Sequence, residues 1–380
     1  MKDVYQESLE MHRQNGGKLA SSVKVPLVDK HDLSLAYPPG VAEICRVIAA
    51  NQSEASNLTL KKNTVAVVSD GSAILGLGNL GAKAAIPVME GKCALFKKFA
   101  DVDAFPICLD TQDSDEIVET VKRLAPVFGG INLEDIAAPR CFEIEKRLKE
   151  SLDIPVMHDD QHGTATVVLA GLINSLKLSG RQASDSRIVI SGAGAAGNAV
   201  SRLLLEYGFR DIIVCDRQGA IYSKRAGLDE EKQALAAITN PQGLQGSLSD
   251  VLPGADIFIG VSSPGILSPD MVKSMAEKAI IFALANPVPE IMPEEALSAG
   301  AFIVASGRSD YPNQVNNVLA FPGIFRGALD NGVKQIEDYM LVKAAENIAA
   351  FVAEPDRDHI LPTPFEAGLA AVVASAIKKN

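Results

Sequence analysis

The chain has 380 residues, with 36 Lys and Arg against 47 Asp and Glu, for a net charge of −11. That length exceeds what one core ordinarily holds and predicts two domains. The acidic balance argues against nucleic acid as a main partner, because phosphate backbones need clustered Lys and Arg. The longest apolar runs, Thr166–Ile173 and Ala279–Ala285, fall far short of the roughly 18 residues of a membrane span, so a soluble globular chain with no membrane partner is expected.

Residues 1–17 are polar and mixed in charge, with no apolar signal core and no Arg-rich transit pattern. Cysteines 45, 93, 108, 141 and 215 are scattered without a Cys-x-x-Cys. They read as free thiols in a reducing compartment, which makes the cytoplasm the expected location and argues against structural zinc. Further along, Thr64–Ser69 is short and β-branched, a buried strand, and Phe105–Leu109 is a second. Ile117, Val118, Val121 and Leu124 mark one face of a helix over Asp115–Leu124. Ile131–Leu133 reads as a strand. Pro139 opens a helix with Ile144, Leu148 and Leu152 on one side. Ile154–Met157 is a strand, and Gln161–Leu178 a long apolar helix.

A second unit starts at strand Arg187–Ser191, followed by a Gly-rich turn, a helix to Tyr207 and strand Asp211–Cys215. Strands Asp256–Gly260, Ala279–Leu284 and Phe302–Ala305 follow. This alternation predicts an α/β fold with parallel sheets and crossover helices. Residues 1–160 form an N-terminal substrate and metal domain. Residues 161–334 form a Rossmann-type, doubly wound dinucleotide-binding domain. Helices Gln335–Val352 and Pro364–Lys378 close the chain over 335–380, the last with Phe365, Leu369, Val372, Val373 and Ile377 on one side. That side packs on a domain or on a partner subunit.

Gly-x-Gly-x-x-Gly occurs twice. The copy Gly192-Ala193-Gly194-Ala195-Ala196-Gly197 follows a strand directly and opens a helix, and the next strand ends in Asp216. This is the context of a dinucleotide site: the glycines admit the pyrophosphate to a helix N-terminus, and the acid meets the ribose hydroxyls. Ser69-Asp70-Gly71 intervenes between the strand and the copy Gly76-Leu77-Gly78-Asn79-Leu80-Gly81, which also lacks the following acid. It reads as a tight rim loop able to line an active site. Asp216 favours NAD by repelling a 2′-phosphate, whereas Arg217, Lys224 and Arg225 are placed to accept one, so NAD is expected and NADP stays open.

Glu134-Asp135 and Asp159-Asp160 each follow a strand, at the carboxyl ends where parallel sheets place ligands. Each pair alone reads as a solvated cap, such as Asp160 capping the helix that begins at Gln161. Two pairs in the same placement would repel, and a hard divalent ion, Mg²⁺ or Mn²⁺, resolves that repulsion. A metal beside a nicotinamide suits hydride removal from a 2-hydroxy acid, followed by loss of a carboxylate beta to the new ketone. That chemistry needs a base and an acid, for which Lys and Tyr are suitable types.

Several segments carry a resemblance. They are Asp32-Leu33-Ser34-Leu35-Ala36-Tyr37-Pro38-Pro39-Gly40, Val67-Val68-Ser69-Asp70-Gly71, Pro87-Val88-Met89-Glu90-Gly91-Lys92 and Asn132-Leu133-Glu134-Asp135. With them go His158-Asp159-Asp160-Gln161-His162-Gly163, Phe282-Ala283-Leu284-Ala285-Asn286-Pro287 and the stretch Pro312 to Gly323 containing Asn316-Asn317. In this order, from about residue 10 to the C-terminus, they resemble the motifs of malic enzymes of the short bacterial type.

The resemblance implies Tyr37 as the acid that protonates the enolpyruvate carbon and Lys92 as the base for the malate hydroxyl, tuned by Asp159. It implies Glu134, Asp135 and Asp160 as metal ligands. Asn286 and Asn317 become donors to malate carboxylates, with Asn316 beside them. Gly192, Gly194, Ala195, Ala196, Gly197 and Asp216 hold the dinucleotide, and Ser262, Ser263 and Gly265 border the nicotinamide side, where Asn286 is also counted. His158 and His162 are read as hydrogen-bonding groups. Pro38 stands where many members have Thr, and Ser72 and Ala73 stand where the longer type has a carboxylate-binding Arg. Arg308 or the N–H groups of the 76–81 loop are the candidates to replace that Arg.

The implied activity is oxidative decarboxylation of L-malate to pyruvate and CO₂ in a homodimer. Malolactic conversion to lactate and a non-catalytic NAD-binding regulatory module are the alternatives.

Overall fold

The computed structural model describes residues 4–379. Readings that reach Met1–Asp3 or Asn380 therefore lie partly outside the described residues. Two sheets organise the chain. The first has the order β2-β1-β3-β4, all parallel: β1 Thr64–Ser69, β2 Asp103–Cys108, β3 Gly130–Leu133 and β4 Val156–His158. The second has the order β10-β9-β8-β5-β6-β7: β5 Arg187–Ser191, β6 Asp211–Asp216, β7 Gly219–Ala220, β8 Ile257–Gly260, β9 Ile280–Ala283 and β10 Ile303–Ser306. It is parallel except for the β6–β7 hairpin. From β5 the chain winds to β6 on one side and later to β8 on the other. That makes a switch point, the place where doubly wound sheets bind ligands. Val, Ile and Phe fill β5, β8 and β9 because both faces are covered by helices.

Four helices precede β1: α1 Val4–Asn15, α2 Lys30–Ala36, α3 Val41–Ala50 and α4 Ala55–Leu58. None of them has a buried residue. In the first sheet the crossovers are α5 Ala82–Ala100, α6 Ser114–Leu124 and α7 Arg140–Ser151. α6 starts where Asp113 accepts the Glu116 N–H at 2.9 Å. α8, Asp159–Ser179, leaves β4 and leads to the second sheet. α9 Ala195–Tyr207 joins β5 to β6, while α10 Glu230–Ile238 and α11 Leu248–Val251 lead to β8. α12 Pro269–Ser274 and α13 Pro293–Ser298 serve β9 and β10, and α14 Phe321–Asp330, α15 Asp338–Phe351 and α16 Leu369–Ala374 close the chain.

One core runs through both sheets, taking Val65 and Val67 from β1, Met89 and Phe96 from α5, Leu169 and Leu172 from α8 and Ile188 and Ile190 from β5. The closing helices complete it. Phe96 meets Phe321 and Phe325 of α14 edge-on, at centroid distances of 4.7 and 5.4 Å. Among the described residues no helix is long and apolar enough to cross a membrane.

The closing helix is shorter than its pattern predicts. Residues 364–368 form turns, and helix begins only after Gly368, at φ 93°. Leu369, Val373 and Ile377 are buried as expected, but Phe365 is 80% exposed, touching Phe99 edge-on. Replacing Phe96 by Ala removes the ring shared by α5 and α14 and is expected to cost about 3–5 kcal/mol in denaturant unfolding.

Candidate functional site

Parallel strands deliver their carboxyl ends to one edge. The register pairs Leu133 with His158, so the residues that follow, Glu134-Asp135 and Asp159-Asp160, emerge side by side. Asp135 turns back with φ 54°, and its N–H donates to Asp160 Oδ2 at 2.8 Å. Asp159 and Asp160 form the first turn of α8, where the helix dipole favours acids. The helix therefore begins two residues earlier than its apolar pattern suggests. Gly163 is required there, because a Cβ would lie 1.8 Å from Asp159 Oδ1 and 3.2 Å from Asn317 Cβ.

Lys92 reaches this cluster from α5, with its side chain only 7% exposed. Its Nζ lies 2.9 Å from Glu134 Oε1, pairs closely with Asp159, and sits 4.1 Å over the Phe321 ring. Burial opposes its charge, but Asp159, Glu134 and Asp160 more than offset that and raise its pKa. One ammonium cannot balance four carboxylates. Burial, then Asp160 and Glu134, push Asp135 up to about 8, and burial raises Asp160. The buried Asp135 Oδ2 has no hydrogen-bond partner. This excess of carboxylate oxygen fits a hard divalent ion in charge and in donor type. Among the described residues, no three His, Cys, Asp or Glu side chains are gathered closely enough to enclose one.

Glu145, not singled out from the sequence, holds this corner from behind. It lies on α7 beside the buried stripe Cys141, Ile144 and Leu148, which was the available signal. Its carboxylate accepts His158 N–H at 2.9 Å and pairs with Lys149 at 2.8 Å and with His162 Nε2 at 2.9 Å. His162 is thus a hydrogen-bonding group, as expected, whereas both ring nitrogens of the buried His158 lack a hydrogen-bond partner, contrary to the expectation for it. Burial alone would raise the Glu145 pKa; His162 and Lys149 override it and hold the carboxyl far below the usual range.

The remaining substrate candidates divide. Asn317 adjoins Asp159 through Gly163, and Asn286 abuts the first glycine loop, its carbonyl 2.7 Å from where a Cβ on Gly76 would sit. That loop therefore lines the gap between the sheets, as its rim reading allowed. Asn316 Oδ1 is committed to Val318 N–H at 3.0 Å. Arg308 is taken up by Asp310, at 2.9 and 2.6 Å, which removes it as a free carboxylate grip. Arg140, unanticipated, occupies the Asp70–Ser72 segment instead, at 2.9 Å from Asp70 Oδ2 and 3.0 Å from Ser72 Oγ. Tyr37 does not join the cluster. It ends α2, is 69% exposed, and its hydroxyl makes no hydrogen bond to Lys92 or the carboxylates among the described residues.

A cleft of about 860 Å³ opens at the switch point, lined by Gly192, Gly194, Asp216 and Ser262 among others. Gly192 has φ 119°, and a Cβ on Gly197 would lie 1.8 Å from Gly192 O, so the turn closes only without side chains. A Cβ at Gly194 would meet nothing, which leaves open space at the N-terminus of α9 for a pyrophosphate. Ser262 Oγ lies 3.0 Å from Ser191 Oγ, and its N–H donates to the fully buried Glu290. Glu290, also missed in the sequence, accepts Ala285 N–H with its other oxygen at 3.0 Å and so fixes two loop starts beside Asn286.

A doubly wound dinucleotide fold coupled to a second parallel sheet with a lysine–carboxylate edge defines a two-sheet α/β protein of the nucleotide-dependent dehydrogenase class. Sequence profiles narrow this: "Malic enzyme, N-terminal domain" matches residues 16–149 and "Malic enzyme, NAD binding domain" matches 161–379. The chain belongs to the malic enzyme family. It is 57% identical over 377 residues to the bifunctional malic/malolactic enzyme of Bacillus subtilis, covering 98% of this chain and 92% of that protein. It is 56% identical over 364 residues to the NAD-dependent malic enzyme of Geobacillus stearothermophilus, covering 95% and 76%. The crystal structure of the NAD-dependent malic enzyme from Thermotoga maritima superimposes with a TM-score of 0.95 at 50% identity, covering 98% of each chain.

Replacing Glu145 by Ala strands Lys149 and the His158 amide and is expected to cost about 3–5 kcal/mol. Because the folded-state pKa of Glu145 is depressed, its contribution is complete above about pH 5 and fades as the pH falls below about 4. Chemical denaturation of wild type and Glu145→Gln across that range should give a gap that is constant near neutrality and closes in acid.

Proposed function

We propose that the chain converts L-malate and NAD⁺ into pyruvate, CO₂ and NADH, assisted by a divalent ion, through the edge that carries Lys92. The supporting observation is a buried lysine held by Asp159 and Glu134, in a chain that also carries a glycine-built cleft at the switch point of its second sheet. Hydride acceptance is the chemistry the cofactor supplies, and neutralisation of enolate charge is that of Mg²⁺ or Mn²⁺ held by Glu134, Asp135 and Asp160. An ion held by these carboxylates would oppose the ammonium form of Lys92; the lysine is the base for the C2 hydroxyl proton, and Asp159 keeps it in place. The amides of Asn286 and Asn317, with Asn316 adjacent, orient the malate carboxylates. Tyr37 returns a proton to the enolate carbon. Asp216 at the end of β6 supports NAD as the preferred cofactor. The free cysteines support a reducing, cytoplasmic setting.

The exposure of Tyr37 has a consequence for assembly. Val23, Val25, Leu27, Val28, Leu33 and Leu35 around it are all exposed as well, an apolar surface that a second copy would cover. The acid that the Lys92 edge needs lies on this lobe and not among that edge's own neighbours. A homodimer in which the partner subunit's Tyr37 faces Lys92 satisfies both requirements. Malolactic conversion uses the same residues, with NADH retained to reduce pyruvate to lactate. The bifunctional name of the Bacillus relative favours testing for it.

Lys92→Ala should lower malate oxidation, and Tyr37→Phe pyruvate formation, by about 10²–10⁴-fold each. Two inactive variants, mixed after partial denaturation and refolding, should regain roughly a quarter of wild-type turnover, because half the dimers then hold one intact composite site. No recovery in verified mixed dimers would place Tyr37 in its own subunit's site. Lactate in place of pyruvate, with no accumulating NADH, would select the malolactic reading.

A further inference from the structure

Behind the loops that leave β8 and β9 lies a fully buried carboxyl group, that of Glu290. Each of its oxygens accepts one backbone amide. Oε1 takes Ser262 N–H at 2.9 Å, on the loop after β8, and Oε2 takes Ala285 N–H at 3.0 Å, on the loop after β9. The backbone of its own segment pairs with the β8 loop as well, because Leu267 N–H donates to Glu290 O at 3.0 Å and Gly265 N–H to Pro289 O at 3.1 Å. Burial raises the pKa of the carboxyl, and the amides of Ala285 and Ser262 act against that rise. Gly260, the last residue of β8, leaves room for the group: a Cβ there would lie 2.3 Å from Glu290 Cδ and 2.6 Å from Oε1.

Both amides start segments that carry site residues. Ser262 lines the switch-point cleft, with its hydroxyl 3.0 Å from that of Ser191. Ala285 directly precedes Asn286, which is confined on two further sides. A Cβ on Gly76 would lie 2.7 Å from the Asn286 carbonyl oxygen, and one on Gly307 would lie 2.8 Å from its Nδ2. A buried amide left without an acceptor is costly, so loss of either bond favours a shift of the loop that carries it. A carboxylate accepts on both oxygens, whereas a carboxamide has one accepting oxygen and a donating nitrogen. None of these contacts involves Asp216 or Gly194, which belong to the adenosine and pyrophosphate end in the dinucleotide reading of the cleft.

We propose that Glu290 is a positioning residue for the nicotinamide end of the bound dinucleotide and for the Asn286 amide, tying both loops to one carboxylate so that neither shifts without the other. The inference rests on the proposed placement of the nicotinamide beside Ser262 and Asn286, but not on malate turnover. Titration of the full chain with ADP-ribose, which lacks the nicotinamide, and with NADH, whose ring fluorescence reports its surroundings, separates the two ends of the cleft. Glu290→Gln should bind ADP-ribose within about twofold of wild type. Its NADH affinity should fall about tenfold, the scale of one buried amide left without an acceptor, and the emission of bound NADH should move toward that of the free form. Gly260→Ala, which pushes the carboxyl aside while keeping it, should reproduce this selective loss, and it carries the test if Glu290→Gln fails to fold. The KM for malate should rise in both variants. NADH binding unchanged in the folded variants, or NADH and ADP-ribose weakened equally, overturns the proposal. Failure of ADP-ribose to bind wild type overturns the dinucleotide site and this inference with it. Selective loss of NADH in a chain that leaves malate untouched would keep the inference and remove the catalytic reading.

Discussion

A single buried ammonium sets the architecture of the first sheet. Lys92 must be surrounded by carboxylates to remain charged away from water, and those carboxylates must be held against their own repulsion. Parallel pairing of β3 and β4 brings Glu134-Asp135 and Asp159-Asp160 to one edge, and α5, crossing over from β1, carries the lysine down to them. The Phe96–Phe321–Phe325 cluster fixes α5 to α14 directly beneath this pair, so packing of the closing helices and placement of the charged group are one event. Glu145 then secures the β4–α8 corner from the opposite side.

The second sheet contributes a site of a different kind. Its cleft depends on close backbone approach at Gly192 and Gly197 more than on side chains, and its loops are fixed by Glu290, a buried carboxylate satisfied by backbone amides. Asn286 sits between the two halves, against the first glycine loop, and Asn317 adjoins Asp159. Asn286 and the first glycine loop thus bring the carboxyl edges of the two sheets into contact.

Much of this was legible in the residues. β1 and β5 coincide with the runs Thr64–Ser69 and Arg187–Ser191, because short β-branched runs buried on both faces have no competing pattern. The second glycine fingerprint lies where strand and helix context put it. What escaped notice was carried by tertiary contact. Glu145 and Glu290 are ordinary acids until folding brings backbone amides to them. The closing helix lost its first turns because Gly368 interrupts the periodic pattern. The α2–α4 lobe passed unremarked because, within one chain, its apolar residues have nothing to cover them.

The central claim is that Lys92 and the carboxylates around it perform metal-assisted oxidation and decarboxylation of malate. It is tested most directly by following reduced-cofactor absorbance and pyruvate together, with L-malate and NAD⁺, first with Mn²⁺ and then with excess chelator. The account predicts equal yields of reduced cofactor and pyruvate, abolished by the chelator and restored by added Mn²⁺. Malate turnover that the chelator leaves untouched, or malate left unchanged with every nucleotide and ion, would contradict it.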